Sequence, residues 1–111
     1  MRSRIFPLVS VVIPTFNSEE TIEACLQSIK DQTYPNIEII LVDRYSKDGT
    51  LKVAEKFKVR VFLKGPERSA QKNFGVNKAK GSFILFVDSD MELTSKVVEE
   101  CVVACLQRGM E

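Results

Sequence analysis

Four short apolar runs, rich in β-branched residues, constrain the fold of this 111-residue chain more than any other feature of its sequence. They cover residues 8–13, 37–42, 59–63 and 83–87. The first, second and fourth runs are nearly continuous, which is typical of strands buried on both faces of a parallel sheet. Arg60 and Lys64 flank the apolar residues of the third run, which therefore looks like an edge strand.

Apolar residues at helical spacing follow each of the four runs. Asn17 is the predicted N-cap of the first helix, and Asp48-Gly49-Thr50 opens a second, shorter one. A third helix is predicted over residues 69–80, ended by Gly81, and Thr94 is the predicted cap of the last. Because helices alternate with strands, the sequence predicts an α/β fold, a Rossmann-like parallel sheet of about four strands.

Length and composition narrow the classes of protein further. The length suits a single domain over residues 1–111, and a net charge of +1 argues against nucleic acid as a partner. With no histidine and three cysteines, neither a zinc spacing nor a disulfide framework is present, and the cysteines are predicted to be small core residues. Prolines interrupt the N-terminal apolar run, and residues 97–106 are too few to span a bilayer, so we expect a cytoplasmic protein.

The residues just after each strand are the candidate ligand contacts, because open parallel sheets bind ligands beyond the carboxyl ends of their strands. The first strand is followed by the segment Pro14 to Glu19, which is neither a G-x-G-x-x-G turn nor a P-loop. A dinucleotide cofactor and P-loop chemistry are therefore disfavoured. The polar groups of Thr15 and Asn17 suit either a nucleotide site or a plain capped turn.

Carboxylates follow the second and fourth strands. Asp43 suits hydrogen bonds from a ribose hydroxyl or a base N–H, or it caps the loop that follows. In Asp88-Ser89-Asp90, an extended backbone would bring the two carboxylates to one side, where they could bind Mg²⁺ or Mn²⁺ beside a diphosphate. The alternative is a solvated acidic turn.

Cations lie between the third and fourth strands. They are Lys64, Arg68, Lys72 and Lys78. Arg68 and Lys72 are four residues apart, so on a helix they share one face, and a pair of cations near a metal site suits a diphosphate. For Lys78 a solvated face is the preferred interpretation.

Together these segments resemble the inverting GT-A-fold glycosyltransferases of the large family 2, which includes cellulose-synthase-like and dolichol-phosphate-sugar synthases. The resemblance runs in order through nearly the whole chain. It rests on Val11-Val12-Ile13-Pro14-Thr15-Phe16-Asn17 with Glu19, on Ile40-Leu41-Val42-Asp43 with Ser46-Lys47-Asp48-Gly49-Thr50, and on Ser69-Ala70-Gln71-Lys72-Asn73-Phe74-Gly75 with Ala79-Lys80-Gly81 and Asp88-Ser89-Asp90.

The resemblance implies the nucleotide-sugar-binding half of a GT-A domain, with a UDP- or GDP-sugar as donor. It implies that Asp43 reads the base and Arg68 approaches the diphosphate. Asp88 and Asp90 would hold ribose and a divalent metal, Mg²⁺ or Mn²⁺. The substrate-binding residues that it implies are Pro14, Thr15, Asn17, Glu19, Asp43, Arg68, Lys72, Asp88 and Ser89, and the metal ligands are Asp88 and Asp90.

The chain departs from the family pattern at several positions. Gln71-Lys72-Asn73 replaces the Ala-Arg-Asn of many relatives, and Arg44-Tyr45 replaces smaller residues. No residue matches the catalytic base, which in the family follows the D-x-D segment. We therefore expect a chain that binds a donor but transfers no sugar alone, either because it is truncated at its C-terminus or because a partner supplies the rest. The alternative is a free-standing nucleotide-binding or oligomerising module without transferase activity.

The fourth run, residues 83–87, is apolar on both faces, and no strand follows it along the chain. Unpaired backbone groups and apolar side chains at a sheet edge favour association. The sequence therefore predicts a homodimer through this edge or through the last helix. Membrane association is expected only through segments outside this chain.

Overall fold

The computed structural model describes residues 6–109, which form four strands and four helices in strict alternation. In chain order these are β1 (Val9–Thr15), α1 (Ile22–Lys30), β2 (Ile37–Asp43), α2 (Thr50–Ala54), β3 (Arg60–Leu63), α3 (Arg68–Lys78), β4 (Phe83–Phe86) and α4 (Val97–Gln107). Every strand pair is parallel, and the strand order is β3-β2-β1-β4. The predicted α/β fold with a four-stranded parallel sheet is confirmed.

The two central strands carry the core on both faces of the sheet. All seven residues of β1 are buried, and successive side chains point to opposite faces. Val11 and Ile13 join a large apolar cluster, whereas Val12 joins a smaller one with Ile40 and Val42. The continuous apolar runs of β1 and β2 follow from this double burial.

Three helices cover one face of the sheet, and one helix covers the other. Ile22 and Leu26 of α1, Ala54 of α2 and Val98 of α4 belong to the large cluster. Helix α3 packs alone on the opposite face, against β1 and β2. It lies so close that a Cβ on Gly75 would come within 2.5 Å of a methyl carbon of Val12. This position therefore requires glycine.

Both outer strands are edges. The predicted edge character of the third run is confirmed, since within residues 6–109 β3 pairs only with β2. The expectation that the fourth run is buried on both faces is wrong, whereas its predicted lack of a second neighbouring strand holds among the described residues, where β4 pairs only with β1. Phe83 and Leu85 pack against the large cluster, but Ile84 and Phe86 on the other face remain 38% and 43% exposed.

Two predicted helix caps are wrong. Asn17 does not cap α1, which begins at Ile22; its φ of 47° places it in a left-handed turn before the helix. Thr94 does not cap α4, whose N-cap residue is Lys96. In contrast, Asp48-Gly49-Thr50 does open α2. Helix α3 ends at Lys78, and Gly81 lies in the following turn.

The cysteines differ from one another in exposure. Cys25 is buried in the core as predicted, but Cys101 is exposed and Cys105 is half-buried, so the prediction of three core thiols is wrong. Both lie on α4, whose buried residues are Val98 and Val102. Within residues 6–109, none of the helices has the length and apolar character needed to cross a membrane.

The strand order reverses beside β1, which has β2 on one side and β4 on the other. The connection from β3 to β4 carries α3 across the second face of the sheet. Such a reversal opens a crevice at the carboxyl ends of the strands, where ligands of this fold class bind.

Candidate functional site

A cleft of about 180 Å³ occupies this crevice. The end of β1 contributes Pro14 and Thr15, and the turn after β4 contributes Ser89. Arg68 and Gln71, from the first turns of α3, close the cleft from the second face. Four residues predicted from the sequence are thus brought together here: Pro14, Thr15, Arg68 and Ser89.

Two loops beside the cleft are tied to each other by hydrogen bonds. We call residues 16–21 after β1 and 44–50 after β2 the loop pair. Five hydrogen bonds join them: Asn17 N to Ser46 Oγ (2.7 Å), Lys47 N to Asn17 Oδ1 (2.9 Å), Ser18 N to Thr50 Oγ1 (2.7 Å), Glu19 N to Asp48 Oδ2 (3.2 Å) and Gly49 N to Glu19 Oε1 (3.0 Å). Asn17 and Glu19, both predicted ligand contacts, therefore use polar groups to hold the loop pair together.

The two loops of the pair approach each other closely at Gly49. A Cβ on Gly49 would lie 2.7 Å from Glu19 Oε2, which is closer than nonbonded atoms approach. The predicted ligand contact Glu19 therefore depends on a glycine 30 residues away for its position.

Asp43 ends β2 and is completely buried. Its Oδ1 accepts hydrogen bonds from Thr15 Oγ1 and Ser46 Oγ, both at 2.6 Å, and its Oδ2 accepts one from Ser46 N at 2.7 Å. The carboxylate thereby joins the ends of β1 and β2 to the second loop. In this arrangement Asp43 shapes the floor of the site and has no surface of its own in the cleft.

The turn after β4 contrasts with the loop pair. Met91 N donates to Asp88 O at 3.0 Å, so Asp88-Ser89-Asp90-Met91 is a tight turn and not the extended segment that the sequence analysis assumed. Asp90 is exposed, and Asp88 is half-exposed. Ser89 Oγ lies 3.0 Å from Ser18 Oγ, which connects this turn to the first loop of the pair.

A buried thiol supports the turn from below. Cys25 of α1 donates its S–H to Asp88 O at a sulfur–oxygen distance of 3.6 Å. Burial, and then the negative charges of Asp90 and Asp88, raise the pKa of Cys25 to about 11. The thiol therefore stays protonated at neutral pH and remains a hydrogen-bond donor, unlike a reactive thiolate.

The predicted cations divide into those near the cleft and those away from it. Arg68 Nη1 lies 3.3 Å from Asp88 Oδ1, and both side chains are about half exposed. Lys72 shares the face of α3 with Arg68, but its ammonium lies 5.3 Å from the ring centroid of Phe86, alongside β4. Lys64 and Lys78 instead lie over the ring of Phe74.

The residues at the turn suit a hard divalent cation in one respect, because Asp88 and Asp90 offer only carboxylate oxygens. Across residues 6–109, no group of three or more histidine, cysteine, aspartate or glutamate side chains is arranged to hold a metal ion. A cation at this turn would therefore take its remaining ligands from substrate oxygens or water, which is usual for Mg²⁺.

Four of the residues that line the cleft were not predicted from the sequence as site residues: Phe16, Ser18, Arg44 and Gln71. The guanidinium of Arg44 stacks over the exposed ring of Phe16, 3.9 Å from its centroid, and donates to Pro66 O at 2.9 Å. Two of these residues, Arg44 and Gln71, could have been found from the sequence because they depart from the family pattern. Both departures fall on the walls of the site.

Comparison with known proteins agrees with this geometry. The glycosyl transferase family 2 model matches residues 10–107. Glycosyltransferase AglE of Haloferax volcanii is 33% identical over 114 residues, which cover 95% of this chain and 38% of AglE. The chain therefore spans well under half of the length of AglE.

Solved structures agree as well. TarS of S. aureus in complex with UDP matches with a TM-score of 0.83 and 29% identity, over 92% of this chain and 33% of that one. The mannosyltransferase PcManGT from Pyrobaculum calidifontis, in complex with GDP-Man and Mn²⁺, matches with a TM-score of 0.69 and 27% identity, over 78% of this chain and 28% of that one. By sequence and by fold, the chain belongs to glycosyl transferase family 2.

Proposed function

We propose that this chain binds the nucleoside diphosphate of a UDP- or GDP-sugar and forms the donor-binding part of a glycosyltransferase. The observation that carries the proposal is the charge of the cleft: its lining includes two guanidinium groups, Arg44 and Arg68, and no carboxylate. The carboxylates of Asp88 and Asp90 lie in the adjoining turn. The relatives support the same class of ligand, since TarS binds UDP and UDP-GlcNAc.

The predicted substrate-binding residues take two kinds of role in this proposal. Arg68 and Ser89 line the cleft and contact the diphosphate and ribose directly, together with Thr15 and Pro14. The buried or loop-bonded groups give the pocket its shape: Asn17, Glu19 and Asp43. Lys72 adds positive charge from the side of β4, at longer range.

Asp88 and Asp90 would hold a divalent cation, Mg²⁺ or Mn²⁺, and the bound cation would supply positive charge opposite the diphosphate. The complex of PcManGT with GDP-Man and Mn²⁺ supports this part of the proposal. Arg68 forms an ion pair with Asp88 and so connects this carboxylate to the start of α3.

The chemistry that this arrangement serves is displacement at the anomeric carbon of the donor. An acceptor hydroxyl gives its proton to a base and forms a bond to that carbon while the bond to the diphosphate oxygen breaks, and negative charge develops on the diphosphate. Arg68, fixed at the start of α3, places a guanidinium where this charge appears. Asp43 and the loop pair fix the shape of the nucleotide end of the pocket while the sugar end of the donor reacts.

Calorimetric titration tests the proposal. UDP and GDP are titrated into the chain with Mn²⁺ and, separately, with EDTA, in the unaltered protein and in Asp90→Ala. We expect Mn²⁺ to raise affinity by about tenfold or more, since a tenfold change corresponds to about 1.4 kcal/mol of added interaction. In Asp90→Ala the two affinities should become equal.

Glu92→Ala is the matched control, because Glu92 is an exposed carboxylate two residues beyond Asp90. This variant should keep the full dependence on Mn²⁺. Equal affinity with Mn²⁺ and EDTA in the unaltered chain would remove the metal from the proposal. If neither nucleotide bound under any condition, the proposal of a donor-binding site would itself be wrong.

A further inference from the structure

Gln71 is a buried polar side chain in the wall of the cleft, and only 3% of its surface is exposed. Its Nε2 donates to Thr15 O at 2.9 Å and to Val42 O at 2.8 Å. Only N–H groups can satisfy two carbonyl oxygens, so these contacts also fix which end of the amide is nitrogen and which is oxygen. Gln71 thus bridges the carboxyl ends of β1 and β2 from the second face of the sheet.

The other end of the amide is an acceptor that no described residue uses. Within residues 6–109, Gln71 Oε1 receives no hydrogen bond, and no buried side-chain nitrogen or oxygen lacks a partner. The oxygen is therefore reached by solvent. Since Gln71 lines the cleft, the cleft is the space from which a ligand reaches it.

Because both of its N–H groups are bound to backbone, Gln71 can act toward a ligand only as an acceptor, with its orientation fixed before binding. A preset, largely buried acceptor discriminates strongly between a ligand that donates to it and one that does not. The neighbouring carboxylate, Asp43, is completely buried and already accepts three hydrogen bonds.

We propose that Gln71 Oε1 is a specificity-determining acceptor for the nucleotide base, and that it accepts the ring N–H of uracil or guanine. Uracil presents this donor at N3 and guanine at N1, whereas the corresponding ring nitrogens of cytosine and adenine are acceptors and would be repelled. The inference rests on the proposed function, because it assigns a contact within the same site.

N-methylated nucleotides test the proposal directly. UDP is compared with N3-methyl-UDP, and GDP with N1-methyl-GDP, by calorimetry in the presence of Mn²⁺. In the unaltered chain, methylation removes the N–H and sets a methyl group against Oε1, so affinity should fall by about tenfold or more. In Gln71→Met, which is similar in size and has no amide, the methylation penalty should shrink to about twofold or less.

Gln71→Lys is a second variant for the case in which Gln71→Met does not fold, because a lysine ammonium can still donate to both backbone carbonyls and offers no acceptor. It should likewise lose the methylation penalty. Asn77→Ala, an exposed amide later on α3, is the control and should keep the full penalty.

The outcomes separate this inference from the proposed function. If UDP or GDP binds with Mn²⁺ and the methylation penalty survives in the Gln71 variants, another group reads the base and the assignment to Gln71 is overturned. Absence of any penalty in the unaltered chain would overturn it too. If no nucleotide binds at all, the proposed function fails first.

Discussion

Two regions meet at the cleft, the carboxyl ends of β1 and β2 and the carboxyl end of β4, and their polar residues are bonded in different ways. At β1 and β2 the predicted functional residues are bonded to each other: Asp43 is buried under three hydrogen bonds, and five more join the loop pair. At β4 the carboxylates of Asp88 and Asp90 face solvent, and backbone and sulfur contacts hold the turn. The predicted functional residues thus fall into two groups. Asp43 and the loop pair are bonded to each other, and we call them the frame. Asp88 and Asp90 expose their charges to solvent, and we call them the rim.

The largest expected effect is on folding, from Asp43→Ala. Removing this carboxylate leaves the Thr15 hydroxyl and two donors of Ser46 without their acceptor, and we expect a loss of about 3 kcal/mol in the free energy of unfolding. Asp90→Ala removes an equally charged but exposed side chain, and its effect should stay below about 0.5 kcal/mol. Urea unfolding of both variants measures the difference. Similar losses in the two would refute the distinction between frame and rim.

The fold could be predicted from the sequence because the burial of each strand determines which of its residues are apolar. The continuous runs of β1 and β2 predict central strands, and the polar residues around β3 predict an edge. The exposed face of β4 was missed because the composition of a strand does not reveal whether another element packs against each of its faces. Ile84 and Phe86 are as apolar as core residues.

The site was predicted in part for a similar reason. Position after a strand identified Thr15, Asp43 and Asp88, but it says nothing about which polar atoms are already used within the protein. Asn17 illustrates the limit: a good N-cap residue by type, it instead adopts a positive φ and bonds to the second loop. Gln71 was not predicted as a site residue, because the sequence of a helix does not show that one of its amides binds the backbone of two strands.

A second, smaller effect concerns the edge of the sheet. Strand β4 exposes Ile84 and Phe86 and, in the described part of the chain, pairs on one side only. We expect the apparent mass in sedimentation velocity to rise with protein concentration as chains associate through this edge. Ile84→Lys should suppress the rise. Val61→Lys, which charges an exposed position on the opposite edge strand, should leave it unchanged.

A clean monomer at high concentration would rule out this association. If Val61→Lys suppressed it as strongly as Ile84→Lys, charge alone and not the edge of β4 would be responsible. Helix α4 already covers the other face of β4 through Val98 and Val102, so the exposed face is the surface that the test addresses.

The smallest expected effect is a pH dependence that arises at Asp48 in the loop pair. The hydrogen bond from the Thr50 hydroxyl, together with those from the backbone N–H groups of Thr50 and Glu19, lowers the pKa of Asp48 below its ordinary value. A carboxylate whose pKa is depressed on folding stabilises the protein fully above the unfolded pKa, about 3.9, and this contribution is lost as pH falls through the folded pKa.

The thermal midpoint should therefore drop between about pH 5 and about pH 3. In Asp48→Asn it should drop less, because the asparagine has no proton to take up. Glu20→Gln, an exposed change in the same loop pair, should behave like the unaltered chain. Amide protection factors, which correct for the intrinsic pH dependence of exchange, give a local reading: that of Glu19, whose N–H is bound to Asp48, should fall in acid, while that of Met91 in the turn after β4 should not change. If both amides changed together, acid would be loosening the whole sheet, and the contrast between the two ends of the site would not hold.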